Sequence, residues 1–156
     1  MEKRTLIAGA GNILLGDEGI GVHAVRALMA QGLPAGVDAV DAGTALDGLL
    51  GELAGYGRLI LVDAVRGGGR PGDVYRLEIR SRDDLAAAAR PLSLHEFGVA
   101  ETLDQARALG VLPARVVLTG MEPESLAPAM EPSETCARAL PGLIRLVLDE
   151  VGGWGV

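Results

Sequence analysis

Glu18, Asp63 and His95 are the side chains placed best for chemistry. Each stands where a short apolar run ends or a loop gives way to a helix. Glu18 comes after Thr5-Leu6-Ile7-Ala8-Gly9, Asp63 closes Leu59-Ile60-Leu61-Val62, and His95 opens a helix after a loop. In an open α/β sheet, ligands bind outside the carboxyl ends of the strands. Two carboxylates and an imidazole meeting there form an oxygen, oxygen, nitrogen donor set for a transition metal. The chain holds 2 histidines, so a histidine at that edge is informative.

Each residue taken singly also has a plainer role. Asp17 and Glu18 complement the positive end of a helix dipole. Asp63 caps the turn after a strand, and His95 is a solvated residue of a helix first turn. What raises the chemical reading is their coincidence at one sheet edge. Asp41-Ala42-Gly43-Thr44 adds a further strand end, followed by a glycine where something approaches the backbone closely.

The segment Gly9-Ala10-Gly11 begins like a dinucleotide fingerprint, with Asp41 in the place of the ribose-binding acid. Two features oppose that reading. The third glycine of the fingerprint falls on Leu14. Asp17 and Glu18 also occupy the helix N-terminus, where they would repel a pyrophosphate and suit a cation. A nucleotide-binding α/β protein stays as the fold-level alternative. Other chemistries have less support. There is no Gly-x-Ser-x-Gly elbow, and His95-Glu96 lacks the second histidine of a zincin. Cys136 reads as a small buried hydrophobe. His23 lies roughly 140° around the helix from Glu18 and reads as a surface residue.

The elements that must position these residues alternate: apolar runs of four to six residues, then helical stretches, the pattern of βαβ units. Strands are predicted at about 5–8, 37–41, 58–63 and 115–119, with an alternating edge strand over 73–79. A helix is expected from Asp17, as N-cap, to Gln31, and a short one over Leu46–Leu53. Ser93 and Glu96 form a capping box for a helix ending at Leu109 before Gly110. A last helix from Ser133 to Val151 contains Pro141, which predicts a kink or two abutting helices. The expected fold is a three-layer α/β sandwich: a mostly parallel twisted sheet of about five strands with helices on both faces, in one domain over residues 1–156.

Net charge is −7, which argues against nucleic-acid partners and anionic membrane surfaces. No run approaches the length of a membrane span. The N-terminus leads into too few apolar residues for a signal peptide. One cysteine excludes an internal disulfide. A cytoplasmic protein is expected.

Six blocks occur in order: Gly-Ala-Gly-Asn-Ile-Leu-Leu-Gly-Asp-Glu-Gly-Ile-Gly-Val (9–22), Asp-Ala-Gly-Thr (41–44), Val-Asp-Ala (62–64), Arg-Pro-Gly (70–72), Ser-Leu-His-Glu-Phe-Gly (93–98) and Pro-Glu-Ser-Leu (123–126). Together they resemble the [NiFe]-hydrogenase maturation endopeptidases over nearly the whole chain. The resemblance implies an enzyme that removes the C-terminal extension of a hydrogenase large-subunit precursor after nickel insertion. It implies Glu18, Asp63 and His95 as metal ligands, with Glu18 and Asp63 as the candidate catalytic carboxylates. Asp41, Gly43 and Thr44 match a loop tied to substrate handling. Nickel would be carried by the substrate and held weakly or not at all by the free enzyme. Leu94 stands where proline is common in the family, and Ala42 where glycine is, and neither departure removes a ligand. A non-catalytic nickel-checking or carrier protein would use the same three ligands.

Overall fold

The computed structural model describes residues 4–81, 84, 90–91 and 98–153. Its strands are β1 (Thr5–Ala10), β2 (Val37–Gly43), β3 (Arg58–Arg66), β4 (Val74–Glu78), β5 (Arg90–Pro91) and β6 (Arg115–Met121). Among the described residues the α-helices are α1 (Ile20–Gln31), α2 (Val99–Ala108) and α3 (Glu134–Gly153). The sheet runs in the order β2-β1-β3-β6-β4. The first four strands pair in parallel, and β4 closes the far edge antiparallel to β6. The short β5 lies antiparallel against Val65 and Arg66, at the end of β3.

The position of β4 follows from its alternation. Tyr75 and Leu77 pack on the core, while Val74 stays exposed on the other face. Such a half-wet strand belongs at an edge. Central β3 has no alternation and is buried from Leu59 to Val65. Its two sets of side chains feed two separate clusters. Leu59, Leu61 and Val65 pack with Leu46, Leu49, Leu53 and α2, whereas Ile60, Val62 and Ala64 pack with α1 and α3. Two helical layers on opposite faces of one sheet make the expected three-layer sandwich. Ile20, Val22, Val25 and Leu28 of α1 are fully or nearly fully buried. Burial of such side chains stabilises the fold by about 1.5–3 kcal/mol each.

Several local expectations differ from the structure. Strands β1, β2, β3 and β6 each run two or three residues beyond their predicted ends. Asp63 therefore lies inside β3 rather than at its last residue. The predicted short helix at 46–53 is instead two 3-10 turns, Leu46–Leu49 and Leu53–Gly55. Asp17 does not cap α1: a 3-10 turn over Gly16–Gly19 comes first, and no side chain caps either element. The last helix is continuous through Pro141 rather than two helices. Cys136, Leu143, Val147 and Val151 hold both of its halves on the sheet, which offsets the donor Pro141 lacks. The capping box Ser93–Glu96 lies outside the described residues. Past the helix it would open, Gly110 adopts φ +72, a left-handed stop.

Candidate functional site

Asp41, Gly43 and Asp63, singled out from sequence, stand at neighbouring levels of the sheet. In register, Gly9 pairs with Asp41 on one side and Val62 on the other, and Val62 pairs with Thr119. One step further, Ala10 faces Gly43 and Asp63 faces Gly120. Here β1 ends while β3 and β6 continue, so a shelf forms at the carboxyl edge. Parity places Asp63 on the face of Leu59, Leu61 and Val65, the face that α2 covers. Asp63 has no solvent exposure, and its Oδ1 accepts the amide of Ala64 at 2.8 Å. Glu18 is 6% exposed and sits in the Gly16–Gly19 turn, which packs on β3. His95 lies outside the described residues. Gly98 and Val99, which follow it, are buried, with Val99 in the cluster on Asp63's face. Among the described residues, no three histidine, cysteine or acidic side chains stand together as a metal site.

The glycines of the first block are consumed by packing. Gly11 has φ +137, and a methyl there would stand 2.0 Å from the carbonyl oxygen of Glu18. Gly9 brings the strand backbone against Gly21 and Val25 of α1, where a methyl would meet the Gly21 carbonyl at 2.4 Å. These glycines let a helix and a strand touch each other. Gly11 holds the position whose backbone would approach a pyrophosphate in a dinucleotide site, and here the space of its missing side chain faces the Glu18 carbonyl.

The Asp41 segment forms a shaped surface. Asp41 Oδ1 accepts the Gly43 amide at 2.9 Å, and Gly43 turns with φ +51. Asp41 Oδ2 accepts Nε of Arg26 at 3.1 Å and pairs with its Nη2 at 3.0 Å. A groove of about 330 Å³ opens beside this pair, lined by Gly11, Asn12, Leu14, Arg26, Asp41, Gly43 and Thr44 among others. Asp41, Gly43 and Thr44, which the sequence resemblance ties to substrate handling, thus share one groove.

Two buried acids near the edge were not resolved by sequence reasoning. Asp17 is wholly buried: its Oδ2 accepts the amides of Glu124 and Ser125 at 2.9 Å each and the Ser133 hydroxyl at 2.8 Å, and its Oδ1 accepts the Ser133 amide at 2.7 Å. Burial pushes the Asp17 carboxyl up, but these donors outweigh it and hold it below its usual value. With that many donors Asp17 is a fastening between the Gly16–Gly19 turn and residues 124–133. Glu122 Oε1 accepts the amides of Gly67 and Gly69 at 2.9 and 3.2 Å and the Tyr75 hydroxyl at 2.7 Å. It pins the glycine-rich loop after β3. The signal available in sequence was the Pro-Glu-Ser-Leu block, whose amides meet Asp17.

Cys136 is fully buried, as expected, with burial first among the causes that raise its thiol pKa. His23 departs from expectation. It is half-buried, and its Nε2 is a buried atom without a hydrogen-bond partner in the structure. The reason is tertiary: α1 packs against β1, β2, β3 and α3, and His23 lies at the border of its buried face, between buried Val22 and Ala24.

Relatives point the same way as the site. A profile of the family described as hydrogenase maturation protease matches residues 22–150. The Hydrogenase 2 maturation protease of Escherichia coli (strain K12) is 37% identical over 155 residues, covering 98% of this chain and 93% of its own length. The chain belongs to the hydrogenase maturation protease family. The Rhodobacter capsulatus hydrogenase expression/formation protein HupD is 34% identical, covering 99% of this chain and 74% of its own. Among solved structures, the hydrogenase maturating endopeptidase HybD from E. coli superposes with a TM-score of 0.84 at 36% identity, covering 97% of this chain and 94% of that one. The present maturation protease is accordingly a hydrolase with the α/β fold of its relatives. None of its described helices is long and apolar enough to cross a membrane.

Proposed function

We propose that this maturation protease removes the C-terminal extension of a [NiFe]-hydrogenase large-subunit precursor once nickel has been inserted, and that it recognises the precursor through that nickel. The observation that supports the reading is the match of residues 22–150 to the hydrogenase maturation protease family, in a chain whose Glu18 and Asp63 are both buried acids. Glu18 and Asp63 would supply oxygen donors and His95 a nitrogen donor. Three protein ligands leave coordination positions open for a nickel already held by substrate thiolates, and nickel accepts such a mixed set. A carboxylate beside the metal is also a base for the attacking water. Because the metal arrives with the substrate, cleavage becomes conditional on metal loading. The cytoplasm, where precursors would be assembled, is the compartment this reading requires.

The test is incubation of the protein with nickel-loaded and nickel-free precursor, read by mass spectrometry. The expected result is a single mass loss from the loaded precursor alone. Equal cutting of both forms would remove nickel from the recognition. Binding without any mass change would instead favour the nickel-checking or carrier reading.

A further inference from the structure

Glu18 sits in a turn whose position is set by its neighbour in sequence. The backbone of Glu18 is bounded on one side by Gly11, whose missing side chain lets the two chains touch. Its amide donates to the Leu15 carbonyl at 3.2 Å, which closes the turn on itself. The turn also packs on β3, and a displacement that matters here is a lift away from that strand. The connection from β6 to α3 opposes that lift. The amide of Asp17 donates to the Ser125 carbonyl at 3.0 Å, that of Gly16 to Ala129 at 2.9 Å, and that of Ala129 back to Leu14 at 3.0 Å. The Asp17 side chain adds four acceptor contacts to the same connection, all to residues at least 107 positions away. Ser133 also takes part in capping α3, since its hydroxyl accepts the Cys136 amide at 3.3 Å.

We infer that Asp17 is a positioning residue for precursor cleavage: it locks the Glu18 turn to the β6–α3 connection and so fixes the Glu18 carboxylate at the reactive edge. The inference rests on the assignment of Glu18 to that edge made under the proposed function. The chemistry of the contact explains why an acid is needed. All four partners are donors, and the carboxylate is all acceptor. Asparagine would turn one of its ends into a donor facing donors. One peptide bond separates Asp17 from Glu18, so a lift of the first displaces the second. A misplacement of about 1 Å at a reacting group costs on the order of 100-fold in rate.

The experiment uses the full chain and nickel-loaded precursor, well below each variant's melting temperature, with rates expressed per folded molecule from circular dichroism. Asp17→Asn is expected to lower kcat by about 30- to 100-fold while KM stays within about threefold. Amide hydrogen exchange at Glu18, Glu124 and Ser125 should quicken in parallel. Ser133→Ala removes one donor from the same carboxylate and should lower kcat by roughly three- to tenfold, again with KM held. It serves as the deciding variant if Asp17→Asn does not fold. A purely structural clasp predicts faster exchange and a lower melting temperature but a normal kcat per folded molecule, and that outcome overturns the inference. So does a rise in KM with kcat unchanged. A wild-type chain that leaves loaded precursor intact removes the reading of Glu18 itself and this inference with it. An active wild type with unaffected variants removes the Asp17 assignment alone.

Discussion

Gly21 stands against the carbonyl of Val62 so closely that an added methyl would lie 2.1 Å from that oxygen, and 2.6 Å from the carbonyl of Ala10. This contact sets the first turn of α1 directly on the end of β1 and on Val62 within β3. The Glu18 turn immediately before it is thereby brought to the carboxyl edge.

Gly21→Ala is therefore expected to destabilise the protein by about 1–3 kcal/mol, because backbone atoms that cannot rotate away must shift. For a chain of this size each kcal/mol moves the melting temperature by about 2–4 °C. Gly48, in the turn Leu46–Leu49, has nothing within 4 Å of an added methyl. Gly48→Ala should be neutral or stabilise by up to about 1 kcal/mol. Urea unfolding of the two variants checks the contrast, and equal stability would mean that the α1–sheet contact is looser than described.

Glu18→Gln, Asp63→Asn and His95→Ala should each reduce precursor processing by more than about 100-fold, the scale of a lost acid–base group. Asn at position 63 keeps the shape, and its carbonyl oxygen can still accept the Ala64 amide. Its melting temperature should stay near that of the parent. Near-normal cleavage by all three variants would sink the site. Under the plainer reading of Asp63 as a local cap, Asn replaces it at little cost and activity survives.

The isolated protein should bind nickel weakly, because the proposed donors are two oxygens and a nitrogen without a thiolate. Calorimetry should give micromolar affinity or weaker. A nanomolar site in the free chain would contradict a metal that arrives with the substrate.

Arg26→Ala removes the partner of Asp41 in the groove. Arg26 is 53% exposed, so the stability loss should stay under about 1 kcal/mol. Its effect belongs on substrate binding: KM should rise with kcat nearly unchanged, the pattern of lost uniform binding. A drop in kcat at constant KM would instead tie the pair to the chemical step.

His23 makes stability depend on pH. Burial comes first among the causes that lower its pKa, with Arg26 second, while Glu131 and Asp41 pull the other way. The folded state therefore holds fewer protons than the unfolded one just below the ordinary histidine pKa of about 6.5. The neutral imidazole's contribution is present above that pH and declines as pH falls toward the folded pKa. Denaturant midpoints from pH 8 to 5 should fall, and His23→Gln should flatten that part of the curve. An unchanged slope in the variant would assign the dependence to other groups.

Periodicity and punctuation determined much of this protein. The alternation over 73–79 was enough to place β4 at an edge, and the unbroken apolar run at 59–62 marked β3 as central. Both patterns are local, since a strand's exposure is written in its own residues. The order of sequence blocks likewise determined the family. What sequence left undecided were relations across the chain. Asp17 and Glu18 are adjacent acids with the same local context. Only the return of residues 124–133 to the turn shows that Asp17 is a saturated fastening. His23 looked wet on a helical wheel, but four neighbouring elements close around α1. The glycines at 9 and 11 suited either a phosphate or a packed backbone. Tertiary structure decided for packing, because the atoms that fill the missing side chains' space belong to the chain itself. Hydrogen bonds and contacts between residues a hundred positions apart have no signature in spacing, and here they tie the Gly16–Gly19 turn to residues 124–133.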